Sequence, residues 1–161
     1  MAAGVTAEVA LNIKALLTGT ADLGSPRFAM DPISEVIQFA AGTASVGQAN
    51  ILFADTRTLA ASATEDIDLA GVLSNVFGAT ITAAEVVLLF VRAAAANTNN
   101  VQVTRPASNG FIGPFLAAGD GISVKPGEWA LMASGTGWAV TAATGDLLTL
   151  TNSGGTTGVT Y

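Results

Sequence analysis

The stretch "VTAEVALNIKALL", residues 5–17, places Val5, Ala7, Val9, Leu11, Ile13, Ala15 and Leu17 at its odd positions and Thr6, Glu8, Asn12 and Lys14 among its even ones. Alternation of this kind is the period of a β-strand with one buried face. Val9, Ile13 and Leu16-Leu17 also satisfy a 3.6-residue period, so a helix is the competing reading of this stretch on its own. The rest of the chain favours strands. Short alternating segments recur near 34–40, 49–55, 65–69, 85–93, 101–105, 111–116, 122–125, 128–133, 137–142, 146–151 and 157–161. Between them lie Gly42-Thr43, Asn109-Gly110, Gly119-Asp120-Gly121, Pro126-Gly127, Gly135-Thr136-Gly137 and Ser153-Gly154-Gly155. Gly and Asn tolerate the positive φ angles of tight turns, and turn signals spaced roughly eight to twelve residues apart predict an all-β antiparallel sandwich or barrel, of which the sandwich is the preferred reading.

Four local readings refine this expectation. "LAGVLSNVFGA" puts Val72, Leu73, Val76 and Phe77 on one stripe ahead of Gly78, which predicts one short helix. "EVVLLFVR", residues 85–92, is apolar on both faces, so it is expected to be a central strand or one covered by a neighbouring subunit, and the least exposed segment. Lys125-Pro126-Gly127-Glu128 and Gly135-Thr136-Gly137 are read as hairpin turns. Trp129 and Trp138 share faces with Leu131 and Val140, positions that a sandwich interior claims.

With 161 residues the chain is long enough to bury roughly two-thirds of its unfolded surface. Only 11% of its residues are charged, against about 25% in ordinary soluble domains, and its mean hydropathy is +0.55. Something besides its own core is therefore expected to cover part of it. The run from Val86 to Val91 is far too short to cross a bilayer, which takes ~20 residues, so a protein partner is expected and a membrane is not. The opening residues have no basic stretch ahead of an apolar one, and Glu8 and Lys14 interrupt them, so no secretory leader is expected. The net charge is −6 and the six Lys and Arg are scattered from Lys14 to Lys125, which argues against direct nucleic-acid binding.

Chemistry is hard to find. Without His or Cys, triad hydrolases and thiolate or imidazole metal sites are excluded. Glu65, Asp66 and Asp68 form the densest acidic group; Asp66 and Asp68 share a face that could offer oxygen ligands to Ca²⁺, but no full calcium loop surrounds them, and a solvated strand edge is the preferred reading. Trp129 and Trp138 could stack against a sugar ring, though the core claims them first. No catalytic, cofactor-binding or metal residue is named, and neither enzyme activity nor a cofactor is expected.

The segments "GTADLGSP", "ILFADTRTLAASATEDIDLAG", "ISVKPGEWALMA", "GTGWAVTAATGDLLTLTNSGG" and "GVTY", in this order, resemble tailed-bacteriophage virion structural proteins of the capsid decoration, or cement, type, from about Thr18 to Tyr161. In that group the last strand continues past the Tyr, whereas this sequence stops at Tyr161. The resemblance implies a jelly-roll body acting as a homo-oligomer, dimeric or trimeric, that binds the major capsid protein on the outer surface of the head after assembly in the bacterial host cytoplasm. A tail or baseplate adaptor is the alternative within the virion, and a carbohydrate-binding sandwich the alternative outside it. Residues 1–25 are expected to form an N-terminal strand or arm with a Gly/Pro connector, and residues 26–161 the sandwich. Val9, Leu11 and Ile13 are the candidate subunit-interface residues, because an apolar strand face at a chain terminus seeks a neighbour's surface.

Overall fold

The computed structural model describes residues 4–161 and contains thirteen β-strands and no helix among them. The last eight strands build the body. They nest in pairs, first with last and so inward: β6 (Thr58–Leu59) with β13 (Val159–Thr160), β7 (Thr64–Asp68) with β12 (Leu147–Asn152), β8 (Glu85–Arg92) with β11 (Trp129–Ala139), and β9 (Val101–Thr104) with β10 (Gly121–Val124). All four pairs are antiparallel, as in one long two-stranded ribbon folded across itself. Pairing of β12 with β9 closes the fold, giving a sheet ordered β10-β9-β12-β7. On the other side the Ala94 amide donates to the Thr160 carbonyl at 2.9 Å, tying the end of β8 to β13.

Alternation decides what these strands bury. Val101 and Val103 of β9, Val124 of β10, Ile67 of β7, and Leu148 and Leu150 of β12 point into one core with Val91 of β8. Loop residues Leu73, Ile81, Phe111 and Phe115 complete it. The most fully covered strands are β9 and β12, because each has a hydrogen-bonded neighbour on both edges. This corrects the expectation that residues 85–92 are a central strand and the least exposed segment. Val91 is buried and Leu89 packs against the core, but Phe90 is 54% exposed, since none of the described residues covers it on the outer face of the two-stranded β8–β11 sheet.

Three further expectations change. Residues 72–77 are not a helix: the Asn75 side chain accepts hydrogen bonds from the Phe77 amide at 2.9 Å and the Ala79 amide at 3.1 Å, and the segment closes as a tight loop between buried Leu73 and Ile81. A single helical turn fixes many dihedrals for few bonds, and an Asn side chain that caps nearby amides offers the backbone a better alternative. Lys125-Pro126-Gly127-Glu128 is a turn, with the Glu128 amide on the Lys125 carbonyl at 3.0 Å and Gly127 at φ 79°. It does not close a hairpin: β10 and β11 belong to different sheets, so it carries the chain around a corner of the body. The segment 134–137 is likewise no hairpin turn but a bulge within β11, between the pairs Leu88–Ala133 and Val86–Trp138.

The remaining strands project from this body. β1 (Ala7–Ile13) pairs with β4 (Ile33–Ala41), and β2 (Leu16–Thr18) with β3 (Arg27–Ala29), so residues 7–41 form one long hairpin that turns at Ala21–Gly24. From Ile13–Ile33 to Leu16–Ala29 the outgoing strand advances three residues and the returning one four, a bulge at Met30-Asp31-Pro32 where the missing proline N–H breaks no ladder. Gly19, Gly24 and Pro26 lie at the far end of this hairpin instead of between an arm and the body, and residues 27–41 run back. Residues 1–3, the start of the expected arm, lie outside the described residues. At its root the hairpin is held by β5 (Gln48–Ala49), parallel to β4, and by the Gly47 amide on the Gly135 carbonyl in the β11 bulge, at 2.9 Å.

Two polar clusters lock the end of the body. Asn152, 2% exposed, donates to the Ala60 carbonyl at 2.9 Å and the Thr157 carbonyl at 2.7 Å while accepting from the Gly154 amide at 3.1 Å. Arg57 pairs with Asp55 and Glu65, each at 3.0 Å, and the Tyr161 hydroxyl donates to the other oxygen of Glu65. Burial, reinforced by the hydrogen bond to Glu65 and its negative charge, holds the Tyr161 phenol well above its ordinary pKa.

Replacing Asn152 with Ala removes three hydrogen bonds made by a buried side chain and is expected to cost about 1–3 kcal/mol in chemical denaturation. Because the folded chain grips the Tyr161 proton more tightly than the unfolded chain does, that contribution is complete below the unfolded pKa of about 10 and fades as pH rises past it. The melting temperature should therefore fall between about pH 10 and 12, and Tyr161→Phe should flatten that fall; equal slopes in both proteins would mean that Tyr161 does not cause it.

Candidate interaction surface

In an antiparallel hairpin, directly opposed residues share a face. The pairs Val9–Ile37, Leu11–Glu35 and Ile13–Ile33 therefore lie on one face of the arm, and Glu8–Gln38, Ala10–Val36 and Asn12–Ser34 on the other. The second face is mostly polar, and Gln38 donates to Glu8 across it at 2.9 Å. The first is apolar except for Glu35. At the root this face is covered: Phe39, opposite Ala7, is only 3% exposed. Further out it emerges into solvent, with Val9 half-buried, Leu11 at 47% and Ile13 at 43% exposure, and Ile33 exposed beside them. Beyond the bulge Leu17 and Phe28 face each other in the open, and Leu23 at the turn is fully exposed.

The structure thus brings Val9, Leu11 and Ile13 onto one stripe, and it adds partners that inspection of residues 5–17 missed: Ile33 and Ile37 from the returning strand, and Phe28 near the tip. The signal was present in "ISEVIQFA", residues 33–40, whose Ile33, Ile37 and Phe39 alternate in phase with Ser34 and Gln38. What could not be read locally was that this segment is the mate of β1. From Val9 to Leu23 the outgoing chain of the arm measures about 45 Å at the usual strand rise. An isolated two-stranded hairpin in water is marginal at best, and the apolar face of this one stands in solvent beyond its root.

A second uncovered apolar surface lies on the outer face of β8–β11. Phe90 stands directly opposite Leu131, and Arg92 opposite Trp129. The Phe90 and Trp129 rings are 6.2 Å apart and tilted by 35°. Trp129 is 60% exposed, which corrects its expected place in the core: the register that sends Val91 and Ala130 inward sends Phe90, Trp129 and Leu131 out. Trp138, past the bulge, does pack against the core.

The acidic group of β7 does not converge. Asp66 accepts from the Thr149 hydroxyl at 2.6 Å, Asp68 from the Ala70 amide at 2.9 Å, and Glu65 turns inward to Arg57 and Tyr161. Among the described residues no three Asp or Glu side chains gather where a metal ion could sit, and no helix is long and apolar enough to cross a membrane. The hollows at the root of the arm, between Thr6, Glu8, Gln38 and Gly47, and near its tip, between Thr18, Thr20 and Arg27, are shallow and open.

If the arm's apolar face contributes nothing to the body's own core, Leu11→Ser and Ile13→Ser should each change unfolding free energy by no more than about 0.5 kcal/mol. Denaturant titration checks this, and a loss above about 2 kcal/mol would show that these side chains pack within their own chain.

Compared with family models, curated proteins and solved structures, the chain matches none, so the functional reading rests on these surfaces and on the sequence pattern.

Proposed function

We propose that this chain is a structural protein of a tailed-bacteriophage virion, a capsid decoration or cement protein carried on the outer surface of the head. The virion part of this reading comes from the resemblance of the sequence. The observation that carries the decoration part is the arm: a hairpin rooted in the body at Gly47–Gly135, with an apolar face that the chain leaves uncovered beyond Val9. Copies of a body of this size that sit on a shell and reach one another through such arms can clamp neighbouring subunits of the head. Anything that binds the assembled state and not the separated subunits shifts the balance toward assembly. Many copies, each adding a modest contact, then raise the stability of the whole head.

The same reading makes the body a jelly roll. What supports it is the nested pairing of strands β6 to β13, first with eighth, second with seventh, third with sixth and fourth with fifth. A ribbon paired in that order and rolled into two layers is the jelly-roll plan, which recurs in viral capsid and lectin domains. Fold alone does not license the function; the arm is what distinguishes a clamp from a lone sandwich.

Replacing residues 12–34 with Asn-Gly, a pair suited to a two-residue hairpin turn, keeps the rooted pairs up to Leu11–Glu35 and removes the reach. The shortened protein should melt like the parent, while its co-sedimentation with purified heads and the heat resistance it gives them should fall at least tenfold. A shortened chain that binds heads as tightly as the parent, or full-length chain located on the tail in a particle map, would overturn the proposal.

A further inference from the structure

The arm and the outer face of β8–β11 are both apolar, both uncovered, and both on the same chain. Neither covers the other within one molecule: Leu11, Ile13 and Ile33 are exposed, and so are Phe90 and Trp129. Each surface also carries one ionic group of opposite sign. On the arm it is Glu35, opposite Leu11 and flanked on the same strand face by Ile33 and Ile37. On the sheet it is Arg92, opposite Trp129 and next to Phe90 on the outer face. The ion pairs among the described residues are those of Arg57, so among these residues Glu35 and Arg92 each stand without one.

We infer that the arm of one copy lies across the outer β8–β11 face of a second copy, with Leu11, Ile13 and Ile33 on Phe90, Trp129 and Leu131, and Glu35 against Arg92. This rests on the proposed decoration role and names the partner that the arm grips. The apolar rows supply the burial, and the single opposite charges fix register, since a carboxylate displaced along that face would lose water without gaining a partner. The β8–β11 face suits such an occupant because it is a short sheet with aromatic side chains, the residue types enriched at the centres of interfaces. The contact is heterologous: arm meets sheet, not arm with arm. A heterologous contact repeats from copy to copy and closes into a ring when the rotation allows. Copies linked in this way would form a closed collar held together by their own arms.

The chain has no cysteine, so single cysteines can be placed without background. Glu35→Cys and Arg92→Cys proteins, prepared separately, are treated with a short bismaleimide alone and as a mixture. A head-to-tail contact gives a covalent dimer in the mixture and little in either protein alone. Dimers formed equally by Glu35→Cys alone or Arg92→Cys alone, or no cross-link in the mixture, would overturn the inference. In parallel, Glu35→Arg and Arg92→Glu should each weaken self-association at least tenfold in sedimentation velocity, and the double variant should recover most of it. Single variants that associate like the parent, or a double variant no better than the singles, would also overturn it. Both measurements use free protein. A failure here with head binding intact leaves the decoration role standing, and intact cross-linking with no head binding removes that role alone.

Discussion

Pairing of β9 with β12 is the contact on which the rest of the body depends. The nested strand pairs alone describe a ribbon, and a ribbon has two faces in water. Only when Val101 and Val103 are set beside Asn152 and Leu150 does the ribbon become a sheet whose one face can meet β8, β11 and the loops around Phe111 and Phe115. The two valines and Phe111 are completely buried, and Leu148 nearly so. A side chain of this kind contributes about 1.5–3 kcal/mol when fully buried, so a few positions on these two strands supply a large share of what opposes chain entropy. The polar groups at the same end follow from that placement: Asn152 continues the β12 alternation inward, and it is tolerated there because three backbone partners surround it.

The arm stands outside this economy of burial. Its root is fixed by Phe39, β5 and the β11 bulge, but outward from there it gains backbone hydrogen bonds without apolar cover. A chain that keeps Leu11, Ile13, Ile33, Leu17 and Phe28 in solvent carries a penalty in isolation, a stronger tendency to associate than one with polar residues there. That penalty makes sense when the surface is covered in the working assembly. The bulge in β11 has a part in this: the same backbone irregularity that interrupts pairing with β8 presents the Gly135 carbonyl to Gly47 and so anchors the arm.

Local pattern was enough to establish that the protein is built from strands. The period of two in 5–17, in 101–104 and in 147–152 was legible because a strand's side chains alternate whatever it pairs with. For the same reason Val9, Leu11 and Ile13 could be singled out as one face. The helix expected at 72–77 failed because its apolar spacing ignored Asn75, whose side chain takes the Phe77 amide that a helix would bond to the Leu73 carbonyl, while that carbonyl accepts from the Ile81 amide. The two turns expected to close hairpins at 125–128 and 135–137 failed differently. Each has residues suited to a bend, but turn chemistry reports the bend and not which strands it joins.

Sequence by itself determined the strand content, the alternating faces and the excess of apolar side chains over what one core can hold. Tertiary structure alone decided that β10 and β11 go to different sheets, that residues 33–41 return along β1 to make an arm, and that Trp129 faces out while Trp138 faces in. The reason is physical. Alternation is a property of one strand and is set by bonds within it, whereas pairing and the choice of inward face depend on groups far apart in the chain. Trp129 and Trp138 sit on opposite phases of β11, and only its pairing with β8 decided that the phase of Ala130, Met132 and Trp138 is the one that packs on the core.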